Sequence, residues 1–486
     1  MKNFLLFISI FSGLFVSAQT AEKWERIYGN GGDEYGYRVR SCLNQGYIVG
    51  GSTSSNGISD GYIVRVDSLG LIMWSKTYGG NNVDVIRTLR LLPDSGFIFA
   101  GYSNSAGHGG YDGWVLRTDK NGDTLWTKYI GTTDWDFFYD VTLTWDGGFI
   151  LAGGTYGIGA GDEDMYFVKI DGNGDTLWTK TYGGIKADEA RSVVQTADSL
   201  VAAVGFTYSK EDTLGDSWIL RMNGDGDTLW TRTLEYANAE DKAWGIGDMD
   251  PFGRIIVVGE FTINGDMNSY IRAINYDSTF SFLITNGIAG YEYFSDIAIR
   301  QDGTFGAVGA TENDGGGNGD IFMFHTSYTW TSTSFGTTAT EAGYGIDITH
   351  DNGYIICGYT TGFNAVQPNI FLVKTDTLGL STNVLGIRPA PVPLSMGTVA
   401  IFPNPANNDI TITFDAVNPF ENKPEMKVFD IAGRMVMAIP ASQWQITSAR
   451  STTLSLNISM LTDGIYHFII TNDSEGKCAG KFIVSH

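Results

Sequence analysis

A tryptophan-centred stretch recurs along the chain at a nearly constant interval. "GDTLWTKYIG" begins at Gly122, "GDTLWTKTYGG" at Gly174 and "GDTLWTRTLE" at Gly226. The aromatic residue at its centre returns every 48 to 52 residues, at Trp24, Trp74, Trp126, Trp178, Trp230, Phe282 and Trp330. A fixed period of this length indicates one supersecondary unit that is repeated and stacked on itself. The fold must therefore be an array of seven such units.

Each copy contains four strand-like runs separated by turn residues, and none has helical periodicity. The turn before the next Trp strand reads "DGNGDT", from Asp171, and Asn-Gly favours a tight hairpin. Strand four must then pair with the Trp strand that follows it, so one blade is built from strands two, three and four and the next Trp strand. The last blade, around residues 341–377, then lacks its outer strand, and the Trp24 strand can supply it. The sequence predicts an all-β, seven-bladed β-propeller over residues 19–380, closed by its N-terminal strand. The repeated Trp is interpreted as a spacer between packed layers.

The composition agrees with this fold and excludes some functions. Sixty-three Gly, only 11 Pro and 13 % aromatic residues suit many short strands joined by tight turns. The formal net charge of −23 disfavours nucleic acid and anionic membranes, and it favours cations or basic partners.

The N-terminus, "MKNFLLFISIFSGLFVSAQT", has one Lys, an apolar run and small residues before Gln19. This pattern predicts a secretory signal peptide at residues 1–18, and no later segment is apolar enough to predict a transmembrane helix. Three Cys is an odd number for an exported protein. A Cys42–Cys357 disulfide across the ring is one interpretation, but buried free thiols fit better because the two lie on different strands.

A ring of acidic residues keeps the same period as the tryptophans. Asp or Asn opens strand four of every copy, at Asp60, Asp112, Asp164, Asp216, Asn268, Asp320 and Asn369. Side chains of this type hydrogen-bond nearby backbone N–H groups, so a structural role is favoured over a cation held by the ring. The "DKNGD" and "DGNGD" turns also suggest calcium, but they lack the Gly at position six and the acid at position twelve of a calcium loop. No cofactor is expected, with Ca²⁺ as the alternative.

The candidate ligand-binding residues lie on one face of the disc. The short "DGG" and "NGD" turns share one face, whereas the loops that vary between copies share the other, where binding usually lies. Aromatic residues outside the repeat register fall on this variable face, several beside carboxylates, and they can stack on sugar rings or anchor a protein. The candidates are Tyr35, Trp135, Asp136, Trp244, Tyr291 and Tyr293. The alternative is that these rings fill gaps between blades.

The sequence has no zinc spacing, phosphate loop or nucleophile elbow. The hairpin turns resemble the Asp-box of sialidase-type propellers, a motif that is structural in that family. No set of catalytic residues can be selected, so the protein is expected not to be an enzyme. The alternative is a glycan-active enzyme, sialidase-like or lyase-like, that uses the central pocket.

The repeat stops before residue 381. Residues 381–397 contain three Pro and predict a linker, and residues 398–486 predict a small β-sandwich-like domain. This module resembles the type A C-terminal sorting domain of the bacterial type IX secretion system, in "IFPNPANNDITITF" from Ile401, "VFDIAGRMV" from Val428 and "LTDGIYHFIIT" from Leu461. The resemblance implies export across the outer membrane of a Gram-negative bacterium by that machinery and its sortase. It also implies removal of the module, with the cargo attached to the surface or released.

The resulting hypothesis is a secreted or cell-surface propeller, monomeric and non-catalytic, that acts in binding or adhesion. Its ligand is an extracellular glycan or protein that the sequence does not identify.

Overall fold

The computed structural model describes the propeller and the strands of the C-terminal module. The described residues are 23–381, with gaps at 44–45, 56, 211–213, 235, 237–238, 251, 287–289, 313–318, 327–329 and 364–366, and 399–484, with gaps at 403–406, 416–424, 430–434, 441–444, 449–450 and 473–474. The predicted signal peptide at 1–18 lies outside the described residues, as does the predicted linker except for Ser381.

Twenty-eight strands form seven antiparallel four-stranded sheets, one per blade, and the described part of the chain contains no helix. Blade 1 contains β2 (Asp33–Ser41), β3 (Tyr47–Ser55), β4 (Ile58–Val66) and β5 (Ile72–Tyr78). Blade 2 contains β6 (Asp84–Leu91), β7 (Phe97–Ser103), β8 (Asp112–Thr118) and β9 (Thr124–Ile130). Blade 3 contains β10 (Asp136–Leu143), β11 (Phe149–Thr155), β12 (Asp164–Ile170) and β13 (Thr176–Tyr182). Blade 4 contains β14 (Asp188–Gln195), β15 (Val201–Thr207), β16 (Asp216–Met222) and β17 (Thr228–Leu234).

The remaining blades follow the same order, with one exception at the end. Blade 5 contains β18 (Glu240–Met249), β19 (Arg254–Ile263), β20 (Asp266–Asn275) and β21 (Phe280–Asn286). Blade 6 contains β22 (Glu292–Ile299), β23 (Phe305–Thr311), β24 (Asp320–Thr326) and β25 (Trp330–Phe335). Blade 7 contains β26 (Glu341–Ile348), β27 (Tyr354–Thr360), β28 (Asn369–Lys374) and, as its outer strand, β1 (Trp24–Tyr28). The predicted blade composition and the predicted closing strand are confirmed.

Strand β1 closes the ring through both its backbone and its side chains. It pairs antiparallel with β28, with Trp24 opposite Lys374 and Tyr28 opposite Ile370. Trp24 and Tyr28 are 6 % and 5 % exposed. The Tyr28 hydroxyl donates to the Gly70 carbonyl at 2.7 Å, in the turn before the outer strand of blade 1. The first strand of the chain thus joins the last blade to the first.

The repeated Trp stretch joins neighbouring blades at the outer rim. On β13 of blade 3, the Trp178 indole Nε1 donates to the Gly224 carbonyl at 3.1 Å, in the turn before the outer strand of blade 4. Lys180 Nζ lies 2.9 Å from Asp227 Oδ1 in the same turn. Gly226 has φ +81°, and a Cβ there would lie 3.0 Å from the Trp178 ring. The motif recurs because its Trp and Lys contact the Gly and Asp of the next copy.

The inner three strands of each blade form the core. β11 and β12 are buried along their whole length, whereas the outer strand β13 alternates between exposed and partly buried residues. A blade in the ring is covered on both faces by its neighbours, so its middle strands are apolar on both sides. Cys42 and Cys357 are buried free thiols in this core, and burial raises the pKa of Cys42 to about 11.

The C-terminal module contains two further antiparallel sheets. One has the order β29 (Val399–Phe402), β30 (Asp409–Asp415), β34 (Ser451–Asn457) and β33 (Gln445–Ser448). The other has the order β32 (Met435–Pro440), β31 (Glu425–Phe429), β35 (Gly464–Asn472) and β36 (Glu475–Val484). Ile412 and Val428 are fully buried in their respective sheets.

Candidate functional site: a cup on the propeller axis

Every innermost strand contains a β-bulge at the same point. In β10 the register with β11 shifts between Phe138 and Asp140, so Tyr139 has no paired residue on β11. A bulge of this kind turns a side chain out of the regular alternation of the strand. The seven bulged residues, here called the bulge ring, are Tyr37, Arg87, Tyr139, Arg191, Trp244, Ser295 and Tyr344.

Members of the bulge ring contact one another across blades, which places them around the propeller axis. The Arg87 guanidinium lies 4.1 Å from the Tyr37 ring centre and 5.8 Å from that of Tyr139. The Arg191 guanidinium lies 4.2 Å from the Tyr139 ring centre and 4.7 Å from that of Trp244. Arginine and aromatic side chains thus alternate over five consecutive blades, each cation lying over two π faces.

A charged network lies beneath the bulge ring. Arg38, from blade 1, places Nη1 2.5 Å from Asp296 Oδ2 of blade 6 and Nη2 3.5 Å from Asp140 Oδ1 of blade 3. Arg90 Nη2 lies 2.9 Å from the same Asp140 oxygen. These four residues, here called the floor network, span the axis, so the site is a cup that opens towards the variable loops.

The floor network is held together by charge in a buried environment. Burial raises the pKa of Asp140, but the charges of Arg90 and Arg38 outweigh it and hold this pKa well below its usual value. The Ser192 hydroxyl also donates to Asp140 Oδ2, at 2.8 Å. Burial lowers the pKa of Arg38, and Asp296 and Asp140 more than reverse this. Asp140 therefore stays ionised at neutral pH.

The wall of the cup at blades 3 and 4 carries two neighbouring carboxyl groups. Burial and the charge of Glu189 raise the pKa of Glu163 to about 7, and burial likewise raises the pKa of Glu189. Glu189 Oε1 lies 2.7 Å from Arg191 Nε, and the Tyr156 hydroxyl donates to Glu163 Oε2 at 3.0 Å. The negative charge of Glu189 thus disfavours ionisation of the Glu163 carboxyl group.

The aromatic candidates lie at the cup. Trp244 is a member of the bulge ring, and Tyr35 stacks on Tyr37 with ring centres 6.2 Å apart. Tyr293 is partly buried and contacts Tyr291, which is 39 % exposed at the rim. These residues form part of the wall at blades 5, 6 and 1.

Trp135 lies at the rim above blade 3. It is 51 % exposed and packs edge-on against Tyr111, Phe137 and Tyr156, with ring centres 5.9 to 6.5 Å apart. Phe137 in turn stacks on Tyr139 of the bulge ring at 6.2 Å. A continuous aromatic path thus runs from Trp135 into the cup.

Asp136 lies apart from the cup. It is fully buried at the junction between blades 2 and 3, where its Oδ2 accepts from the Thr132 backbone N–H at 2.6 Å. The acidic ring is found at the same junctions, and its members fix loops: Asp164 Oδ2, for example, accepts from the Ala160 N–H at 2.8 Å. Among the described residues, no group of three or more His, Cys, Asp or Glu side chains converges as in a metal site.

Sequence reasoning missed the arginines and the paired acids of the cup. A signal for the bulge ring was nevertheless present, because each member lies three residues after an acid near the start of the innermost strand. The acids are Glu34, Asp84, Asp136, Asp188, Asp241, Glu292 and Glu341.

A separate cavity of about 800 Å³ lies between blades 6 and 7 on the face of the short turns. Arg300, Thr349 and His350 are among the residues that line it. It is remote from the cup, and no candidate residue borders it.

In the described part of the chain, no helix could span a membrane.

Comparisons with known proteins identify the C-terminal module. Residues 400–485 match the model of the secretion system C-terminal sorting domain. No curated protein matches the chain.

Several solved structures are similar to this chain at low sequence identity. Sqt1 from Chaetomium thermophilum is similar over 76 % of this chain and 89 % of its own, at 12 % identity and a TM-score of 0.42. A puromycin hydrolase is similar over 79 % of this chain and 59 % of its own, at 13 % identity and 0.46. The polysaccharide lyase Uly1 is similar over 75 % of this chain and 94 % of its own, at 11 % identity and 0.44. The chain thus combines a seven-bladed β-propeller with a C-terminal module that is a sorting domain of the type IX secretion system.

Proposed function

We propose that the protein is a non-catalytic binding or adhesion propeller of the cell surface or the secreted fraction, and that its ligand occupies the central cup. The observation that carries the proposal is the bulge ring, in which arginines and aromatic rings alternate above the closed floor network. The sorting domain supports export by the type IX system.

The cup suits a flat, polar ligand such as a glycan. Aromatic faces stack on the apolar faces of sugar rings, and charged groups between them accept or donate hydrogen bonds. Arg87 makes no hydrogen bond or ion pair with the described residues, and its guanidinium lies between the rings of Tyr37 and Tyr139. Its N–H groups are therefore available to hydroxyl or carboxylate oxygens of a ligand.

A second candidate function is a glycan-active enzyme of the same cup. It is favoured by one observation, the Glu163–Glu189 pair, because a carboxyl group with a pKa of about 7 can act as a general acid or base at neutral pH. Tyr139 and Arg191 lie beside this pair, as its electrostatic neighbours. Glu163→Gln should then abolish turnover of a bound glycan while leaving its affinity nearly unchanged.

A binding array of glycans and extracellular-matrix proteins, probed with the purified chain, tests the proposal. Trp135→Ala and Arg87→Ala should each weaken binding to the strongest hit by roughly 1–3 kcal/mol, about 5-fold to 150-fold. Trp145→Ala is the matched control, because Trp145 is 70 % exposed on the face of the short turns. Equal loss of binding in all three variants, or none in the first two, would place the binding site outside the cup. Hydrolysis or elimination of an array glycan would favour the enzyme.

A further inference from the structure

The junction between blades 4 and 5 departs from the repeat at a core position. Arg272 lies on β20, four residues after Asn268, the member of the acidic ring in that copy. In the other six blades the equivalent residue is apolar and at most 2 % exposed: Val64, Leu116, Val168, Leu220, Phe324 and Val373. Blade 5 thus has a guanidinium where each of the other blades has a buried hydrocarbon side chain.

The same junction lacks an acid that the repeat supplies elsewhere. Lys180 of blade 3 forms an ion pair with Asp227 of blade 4 at 2.9 Å, and the same two positions pair at the two preceding junctions. At the blade 4–5 junction these positions are Arg232 and Thr279. Arg232 Nη2 donates instead to the Ser278 hydroxyl, at 3.3 Å. This junction therefore has one cation more and one anion fewer than the repeat provides.

The excess positive charge is not neutralised within the described part of the chain. The Arg272 guanidinium makes no hydrogen bond or ion pair there, and its Nε is buried. It lies 3.9 Å from the ring centre of Phe280, and the Arg232 guanidinium lies 5.8 Å from the same ring. Burial lowers the pKa of Arg272. A partly buried cation without a counter-ion costs free energy, which an anionic ligand would recover.

A cavity of about 710 Å³ opens beside these residues at the outer edge of blade 4. Arg232, Arg272 and Lys210 line it, and none of its described lining residues is acidic. Trp218 also lines it, and its Nε1 is buried without a hydrogen-bond partner, whereas the equivalent Trp114 donates to a threonine hydroxyl at 2.8 Å. Three cations without an acid stand out in a chain whose net charge is −23, because such a chain otherwise repels anions.

We propose that this blade 4–5 cavity binds a carboxylate-bearing sugar, at a site separate from the cup. A planar guanidinium binds a carboxylate through two parallel N–H donors, and Arg272 offers such a group. Phe280 and Leu283 are 44 % and 41 % exposed at the cavity and supply an apolar surface for the sugar ring. The volume lies within the range of small-ligand sites, roughly 300–1,000 Å³, which favours a sugar over an extended acidic peptide.

Titration of the full-length chain with trigalacturonate tests the proposal, with galactotriose as the neutral probe of the same length. We expect saturable binding of trigalacturonate that weakens as the salt concentration is raised, and no binding of galactotriose. Equal binding of the two sugars would contradict the proposal, because the cations would then have no role. Tighter binding of hexaglutamate than of trigalacturonate would also overturn it, in favour of an acidic peptide.

Two variants locate the site. Arg272→Leu gives blade 5 the kind of residue that the other blades have, so it should weaken trigalacturonate binding by about 10-fold to 150-fold while the Tm stays the same or rises. Lys180→Ala, on the outer strand of blade 3, is the matched control and should leave the affinity unchanged. The proposal is wrong if Arg272→Leu binds as tightly as the unaltered chain, or if it lowers the Tm, which would make Arg272 a structural residue. Binding that survives Arg272→Leu and is lost in Arg87→Ala would place the sugar in the cup instead.

Discussion

Replacing Trp24 measures how strongly the N-terminal strand closes the ring. Trp24 is 6 % exposed and packs edge-on against Tyr47, with ring centres 5.8 Å apart. Truncating a buried tryptophan to alanine costs about 3–5 kcal/mol. The variant also loses the hydrogen bond from Trp24 Nε1 to the Ser68 carbonyl, at 2.9 Å, worth about 1 kcal/mol. Because alanine-truncation costs already include part of that loss, we expect Trp24→Ala to lower the free energy of unfolding by about 4 kcal/mol.

The matched control is Trp178→Ala, at the same repeat position on β13. Trp178 is more exposed than Trp24 and lies in a blade that is continuous in sequence, so we expect its loss to cost about 2 kcal/mol. Equilibrium urea unfolding followed by far-ultraviolet circular dichroism measures both variants. Equal destabilisation by the two substitutions would refute the special role of the first strand.

Deletion of residues 19–28 is the stronger form of the same perturbation. It uncovers the edge of β28, which then presents unpaired backbone groups to other chains. The truncated chain should self-associate, and a synthetic peptide of residues 19–32 should restore the monomer whereas a scrambled peptide should not. A monomeric truncated chain with unchanged thermal stability would show that another element closes blade 7.

Three further outcomes are expected. Deleting residues 399–486 should leave the propeller folded but trapped in the periplasm. Cell fractionation tests this, and the presence of the truncated chain at the cell surface would contradict it. Asp140→Ala should cost about 3–5 kcal/mol in urea unfolding, because Arg38 and Arg90 then remain buried without their partner; a loss below about 1 kcal/mol would mean that the floor network does not stabilise the ring. Burial and the charge of Arg300 lower the pKa of His325 to about 4, so unfolding takes up a proton between about pH 6.5 and 4 and stability falls as the pH is lowered through this window. His325→Phe should remove that part of the pH dependence, and an unchanged stability profile would show that His325 is not its source.

The repeat made the scaffold predictable from sequence because its signals are local. The Asn-Gly hairpins indicated which strands share a sheet. The first strand of the chain was then left without a blade, and the last blade lacked its outer strand. The contacts of Trp178 and Lys180 show why the motif keeps its period: both touch the turn of the next copy, 46 and 47 residues away.

The cup was only partly predictable, because it depends on register and on contacts between blades. Arg87 and Arg191 lie within largely buried strands, and the bulge turns them towards the axis. Nothing in the local pattern indicates that Arg38 reaches blades 3 and 6. The aromatic candidates could be found because they break the repeat, whereas Asp136 follows it and lies at a junction.

Hydrogen–deuterium exchange in the presence of a ligand tests the central claim most directly, that the ligand occupies the cup. With the strongest hit of the binding array bound, amide exchange should slow in the loops at residues 104–111 and 156–163, which precede β8 and β12 on the variable face. Exchange should stay unchanged in the turns at residues 145–147 and 197–199 on the opposite face. Protection confined to those turns or to the outer strands would contradict the account.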